Sequence, residues 1–393
     1  MIKKVPTHQL KPGMYVVDLG SKELAGKVRH PVGFIADGKT LAELTGSSLK
    51  YVYIDTVRGL DTDDALAVPI ASLEAAPSSP EEDIVTRGEV EHAQRIHASA
   101  IDTVSHVMRD VKLGHHINQT AVHATVDNIV SSVVKDHSAL LCLGMIRSKD
   151  NYLMEHSVNV SVIVTLFARH IGYDQAAVHQ IATGALLHDI GKIVIPPHIL
   201  HKPGKLDNDE FSIMRSHAAQ GRDILREAGF DAITVEMAGH HHEHIDGTGY
   251  PDQLTADALS EQSKMLAIVD VYDALTADRC YHNRLTPHEA LRNMLTKSGQ
   301  HFDATLLQRF IKSIGVYPIG AMLLLSDGRV GMVVANAGEK SLAPVVRVFF
   351  DQRRHCYISQ QDVDLAATVP KPLTIVENLD PRSLNIDMRR FFE

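Results

Sequence analysis

Along this chain the apolar positions change period twice. Up to about residue 66 they come as short runs, MYVVDLG and YVYIDTV, split by Gly and Pro, which predicts strands. From about Val85 to Ile146 the spacing turns helical, with few Gly or Pro, and a central block from about Leu153 to Gly315 keeps that period. From about Ala321 to Asp364 the runs shorten again: MLLLSDGRVGMVV sets two of them around an Asp-Gly turn, and PVVRVFF follows. Between Ile70 and Asp83 a stretch rich in Ala, Ser, Pro and acidic residues has no period and reads as a linker. The expected fold class is therefore mainly α: an all-helical central bundle flanked by a small N-terminal α/β module and a small C-terminal β module. The boundaries we expect are an N-terminal module at 1–69, a linker at 70–84, a helical connector at 85–146, the central domain at 147–317 and a C-terminal module at 318–393, read as a small barrel. No internal repeat is visible.

Within the central block, polar residues interrupt the apolar faces at regular places. Asp174 is a predicted N-cap for a helix through Val178, Ile181, Ala182, Ala185 and Leu186, and helical spacing carries His188 and Asp189 toward that same face. Asp207 and Glu210 are spaced as a capping box, and His217 falls within the stripe of Ile213, Met214, Ile224 and Leu225. In TVEMAGHHHEH, His241 aligns with Met237 and Ala238, and His242 with Val235 and Ala238. Asp270 follows Leu266 by one turn, and His156 opens the apolar run of the first core helix. Any one of these alone is more often a hydrogen-bonded core residue than a ligand. Together they would need separate partners for two buried acids and several histidines, each costly to bury unpaired. A metal centre explains them at once. Mixed imidazole and carboxylate donors suit iron, manganese, zinc or nickel better than magnesium or calcium. The donors outnumber what one catalytic zinc requires, so two ions are expected, roughly 3.5–4 Å apart, clamping a phosphate and activating water.

Composition narrows the partners. At 393 residues, with 44% hydrophobic and 22% charged residues, the chain is expected to be a soluble globular protein of two or three domains. A net charge of −9 argues against a nucleic-acid polymer, while a small anionic ligand stays open because metal ions supply local positive charge. Cys142, Cys280 and Cys356 lie far apart with no CxxC pair, which fits a reducing compartment. The N-terminus has no apolar leader core, and the longest apolar stretch, Val158 to Phe167, falls short of the ~20 residues a bilayer needs. We therefore expect a cytoplasmic protein without a membrane span.

HDIGK at 188–192, His217, HHEHIDGTGYP at 241–251 and DVYDALTADR at 270–279 together resemble the HD-GYP family, bacterial phosphodiesterases that hydrolyse cyclic di-GMP. The resemblance covers about residues 150 to 315, and the segment ahead of it resembles a module of uncharacterised function that often precedes such domains. It implies an HD-type catalytic bundle with His156, His188, Asp189, His217, His241, His242 and Asp270 as metal ligands, Asp189 bridging two divalent ions. Iron is expected there, with manganese or nickel as alternatives. Lys192 would contact the scissile phosphate, Arg279 the other phosphate, and Tyr250 of the loop containing Asp246, Gly247, Gly249 and Pro251 a guanine. Hydroxide activated by the metals would attack phosphorus in line, giving linear pGpG and, by a second cut, GMP. The chain departs from the family in three ways. Tyr152 stands where some members carry a Glu that supports a third metal. His282 replaces a commonly basic substrate contact. His240 and His244 flank the HH pair, as spare ligands or exposed residues. Expected partners are cyclic di-GMP, a second copy of the chain paired through the 85–146 helices, and a diguanylate cyclase or other signalling protein. The competing functions are a catalytically weak dinucleotide or redox sensor, a phosphodiesterase for a mixed GMP-AMP cyclic dinucleotide, and a nucleoside-phosphate hydrolase.

Overall fold

A computed structural model describes residues 2–18, 33–35, 41, 51–56, 60, 66–67, 87–135, 138–144, 152–277, 285–335, 343–367 and 373–380. The chain divides into two compact units, Met1–Ser79 and Pro80–Glu393. In the first, strands β1 (Ile2–Pro6), β2 (Tyr15–Asp18), β3 (Gly33–Phe34), β4 (Tyr51–Asp55) and β5 (Leu66–Ala67) form an antiparallel sheet in the order β3-β2-β4-β1-β5. Val5 stands opposite Val52 in the β1–β4 register, and both are buried with Leu10, Met14, Val16, Ile35 and Ile54 in a small core of their own.

The second unit is built on helices α1 (Arg87–Lys112), α2 (Gln119–Lys135), α3 (Ser138–Gly144), α4 (Tyr152–Ile171) and α5 (Gln175–Leu187). They are followed by a 3-10 turn (Ile190–Val194) and by α6 (Pro197–Leu200), α7 (Asn208–Glu227), α8 (Ala232–His240), α9 (Glu261–Thr276), α10 (Pro287–Leu295) and α11 (Ala304–Ile314). Helix α4 is buried nearly all round: Val158, Val160, Val162, Ile163, Val164 and Phe167 are covered together with polar Asn159, Ser161 and Thr165, as in a helix packed from several sides. It packs against α5 and α9 and so sits at the middle of the bundle. The helix starts follow the sequence. Asp174 accepts from the Ala177 N–H at 2.8 Å, and Asp207 with Glu210 closes a capping box. Asp231 and Ser260 cap α8 and α9. Helices α1 to α3 contribute Val104, Val122, Val126, Ile129 and Leu140 to the same core, so their apolar faces are covered within the chain itself.

Strands β6 (Met322–Leu325), β7 (Arg329–Ala335), β8 (Val345–Asp351), β9 (Cys356–Asp364) and β10 (Ile375–Leu379) make a second antiparallel sheet in the order β10-β6-β7-β8-β9. The Asp327-Gly328 turn joins β6 to β7 as expected, and β6, β7 and β8 bury apolar side chains in the core shared with the helices. Among the described residues β9 and β10 are the two ends of this sheet, and β9 is largely solvated along its length. Among the described residues no helix is long and apolar enough to cross a membrane.

Candidate metal centre

The centre is set by where helices stop. Helix α5 ends at Leu187, and His188 and Asp189 lie just beyond it, with Asp189 at φ −94° and ψ 10° opening the 3-10 turn. The pair thus sits at the helix end, as expected: His188 keeps helical geometry at φ −54° and ψ −36°, and the chain turns at Asp189. Two residues on, a Cβ at Gly191 would lie 2.0 Å from the carbonyl oxygen of His217, so only glycine lets the turn press against α7. His241 caps the end of α8 and His242 follows it, whereas His156, His217 and Asp270 stand within α4, α7 and α9.

One local device aims three of the imidazoles. Nδ1 of His188, His217 and His241 donates to the carbonyl three residues earlier, Ala185 at 2.7 Å, Met214 at 2.6 Å and Ala238 at 2.9 Å. A carbonyl only accepts, so each Nδ1 holds the proton and each Nε2 presents its lone pair inward. His156 is aimed by a carboxylate: its Nδ1 donates to Asp273 Oδ2 at 2.6 Å, and Asp273 Oδ1 accepts from Asn159 Nδ2 at 2.6 Å. Such a partner orients a ligating ring and raises its basicity.

The donors fall into two groups, Asp189, His217, His241 and His242 in one and His156, His188 and Asp270 in the other, with ligand atoms in each within 4.8 Å of one another. Asp189 joins them. Its Oδ1 lies 3.4 Å from His217 Nε2 and 3.7 Å from His241 Nε2, and its Oδ2 lies 3.4 Å from His188 Nε2 and 3.7 Å from His156 Nε2. Asp270 Oδ1 is 3.0 Å from His156 Nε2, and its Oδ2 is 3.8 Å from His242 Nδ1.

This arrangement fits divalent ions. His188 Nε2 and Asp189 Oδ1 are buried and hydrogen-bonded to nothing, and the Nε2 atoms of His217 and His241 face each other at 3.3 Å. Lone pairs converging in a buried space are repulsive unless a cation sits among them. Electrostatics prepares the same states. Burial holds His217 down to about 4 and His242 to about 3, and burial with His242 alongside holds His241 well below its usual value. Burial opposes ionisation of Asp189 and Asp270, yet Lys192 beside the first and His156 bonded to the second keep both carboxyls well below the usual range. Neutral imidazoles and ionised carboxylates are the forms that bind metal.

Lys192 lies in the 3-10 turn with Nζ donating to Asp189 Oδ2 and a fifth of its side chain exposed. Tyr250 lies against the centre, its ring 4.8 Å from that of His242 and 6.5 Å from that of His217, and burial raises its phenol. The two spare histidines stay out of both groups: His240 Nε2 bonds Asp252 Oδ2 at 3.0 Å, and His244 stacks on His301 at 3.8 Å. Tyr152 stacks on His156 with ring centres 6.0 Å apart. Arg279 and His282 lie outside the described residues.

Known proteins resemble this chain over most of its length. A model described as HD domain matches residues 141–306, a domain of unknown function (DUF3391) matches 2–122, and a KOW domain associated with HD domain matches 322–386. A cyclic di-GMP phosphodiesterase of Pseudomonas aeruginosa is 37% identical over 372 residues, 93% of this chain and 89% of its own length. The chain belongs to the HD-GYP phosphodiesterase family. It is a metal-dependent phosphodiesterase. A 3′3′-cGAMP-specific phosphodiesterase 2 of Vibrio cholerae is 35% identical over 159 residues, 40% of this chain and 30% of its own. A solved structure of an HDG"Y"P protein from Bdellovibrio bacteriovorus aligns over 79% of this chain and 98% of its own at 16% identity, with a TM-score of 0.47.

Beyond the candidate ligands, three residues that sequence reasoning missed hydrogen-bond around the centre. Asp273 and Asn159 fix His156, and buried Glu243 accepts from the backbone N–H groups of Asp252 (2.7 Å), Gln253 (2.9 Å) and Leu254 (3.1 Å), tying the loop after Tyr250 to the HH segment. Asp273 was findable: three residues after Asp270, it shares that helix face.

Proposed function

We propose that this HD-GYP protein hydrolyses cyclic di-GMP to linear pGpG, with GMP from a second cut, at two divalent ions, iron first and manganese or nickel as alternatives. The observation that carries the reading is the division of the buried donors into two groups that meet at the two oxygens of Asp189. His217, His241 and His242 with Asp189 Oδ1 would hold one ion, and His156, His188 and Asp270 with Asp189 Oδ2 the other. Bound there, such ions supply Lewis acidity that polarises a phosphate and makes water a nucleophile near neutral pH.

The chain's own groups do the rest. The Nδ1–carbonyl bonds and Asp273 keep the imidazoles aimed without reorganisation. Lys192 sets a positive charge beside Asp189 at the edge of the buried centre, where it would steady charge developing on a phosphate oxygen. Tyr250, with its phenol kept protonated by burial, is a neutral donor against the same centre. Arg279 is assigned to the second phosphate and His282 to a further substrate contact. A diguanylate cyclase would supply the substrate, and a second copy of the chain is the other partner this reading carries. A mixed GMP-AMP cyclic dinucleotide is the second reading, favoured by the Vibrio cholerae relative and by His282 where a basic contact is usual.

The test is anaerobic turnover of cyclic di-GMP and 3′3′-cGAMP by full-length protein of measured metal content, beside Asp189→Ala. Wild type is expected to release pGpG from cyclic di-GMP, and Asp189→Ala to lose both metal and turnover to background. Tight dinucleotide binding without cleavage under iron, manganese and nickel loading would make the protein a receptor instead.

A further inference from the structure

Three arginines lie on α7, and two of them are committed: Arg222 pairs with Asp252, and Arg226 bonds Asp223 at 2.7 Å. Arg215 differs. Among the described residues it makes no ion pair or hydrogen bond; its guanidinium lies instead over two aromatic rings, 5.1 Å from the centre of Phe211 and 5.7 Å from that of Tyr250. Phe211 precedes it by one helical turn and is 47% exposed. Tyr250 in turn lies tilted against His242, ring centres 4.8 Å apart, and His217 follows Arg215 by two residues. An ordered series of flat groups therefore runs outward from the metal ligands, from His242 to Tyr250 to Arg215 to the solvent-facing Phe211.

Stacking engages the faces of a guanidinium and leaves its five N–H donors at the edge. A fork of donors without an acceptor, beside a phosphodiester-cleaving centre in a chain of net charge −9, is made for a ligand that brings paired acceptors. Guanine does so with O6 and N7 on one edge, which arginine reads bidentately, whereas adenine offers an amino donor where guanine has O6. The exposed face of Phe211 supplies the matching apolar platform for a purine ring.

We infer that Arg215 and Phe211 form the base-reading ledge of the substrate site, Arg215 binding the O6/N7 edge of one guanine and Phe211 stacking on it. The inference rests on the cyclic dinucleotide reading above and names the residues that choose the base. Arg215 is then a specificity-determining residue, and it touches neither the metals nor the scissile bond.

The experiment compares kcat/KM for cyclic di-GMP, cyclic di-AMP and bis(p-nitrophenyl) phosphate, a diester without a nucleobase, in metal-analysed full-length wild type, Arg215→Gln, Arg215→Lys and Phe211→Ala. For Arg215→Gln the preference for cyclic di-GMP over cyclic di-AMP is expected to fall by roughly 10- to 100-fold, mainly through KM, with metal content retained. Arg215→Lys keeps the charge without the fork and is expected to restore little of that preference. Phe211→Ala is expected to weaken both dinucleotides alike while sparing the base-free diester. Equal losses on all three substrates in Arg215→Gln, or an unchanged base preference, would overturn the ledge. Wild type that cleaves the base-free diester but no cyclic dinucleotide would overturn the substrate reading and the ledge with it.

Discussion

The metal centre and the rim beside it hold their side chains by different means. In the centre, each of His188, His217 and His241 is tied by one ring nitrogen to a backbone carbonyl on its own turn, so the other nitrogen is aimed by the helix itself. At the rim, Tyr250, Arg215 and Phe211 meet through ring and cation–π contacts, and among the described residues the Arg215 guanidinium makes no hydrogen bond or ion pair. The difference teaches a division of labour: the centre's geometry is fixed by backbone bonds that tolerate little change, while the inferred base contacts would sit on groups that can vary without disturbing the candidate ligands.

The largest effect that separates the two regions is the response of metal-free protein to acid. His217 and His242 are held at about 4 and 3 when folded, against 6.5 for a free histidine. As pH falls from 6.5 toward about 4, the unfolded chain takes up protons that the folded chain refuses, so stability drops across that window. His156 has the opposite sign: its folded value is raised despite burial, by Asp270 and Asp273, so its contribution is complete below 6.5 and lost only as pH rises through that folded value. It leaves the acid window to the depressed histidines. Urea midpoints of chelator-treated protein should fall steadily through the window, and metal loading should raise the midpoints and steepen their fall, because bound ions keep protons off the ligand rings; a flat metal-free curve would contradict the buried, neutral state of these rings.

Next in size is the carboxylate behind His156. Asp273→Asn keeps the shape of the side chain but removes the negative charge that orients and enriches the ring. Metal affinity is expected to fall by roughly 10- to 100-fold, read by competition with a chelator, while base preference stays as in wild type. Loss of base preference without loss of metal would erase the distinction between centre and rim.

Much of the centre was legible because burial of a polar residue leaves a periodic trace. His156, His217 and Asp270 stand on apolar stripes, and Asp174 and the Asp207–Glu210 box mark the helix starts that put them in phase. For His188 the helical period still holds, whereas Asp189 reaches the same interior where the chain turns into the 3-10 segment beside Gly191. Glu243 was hidden because its work is done on backbone N–H groups nine to eleven residues away, which leaves no mark in side-chain periodicity. The C-terminal strands were legible from alternation and turns, but the order in which they pair, with β10 beside β6, is a long-range choice.

The smallest effect belongs to the rim. Asp252, just after the GYP loop, bonds His240 and pairs with Arg222 at the surface. Burial opposes its ionisation, but those two partners hold its carboxyl below the usual 3.8. A depressed carboxylate adds stability above the unfolded value and loses it as pH falls through the folded one, a window lying below that of the buried histidines. The pair is solvent-screened, so Asp252→Asn is expected to lower stability at neutral pH by no more than about 1 kcal/mol. The variant should also keep wild-type metal content, because no bond from Asp252 reaches either ligand group. A urea titration of metal-loaded Asp252→Asn with metal analysis checks both. A loss of metal would mean that Asp252, through its backbone bond to Glu243, supports the HH segment, and the boundary between fixed centre and variable rim would then move outward to include the loop.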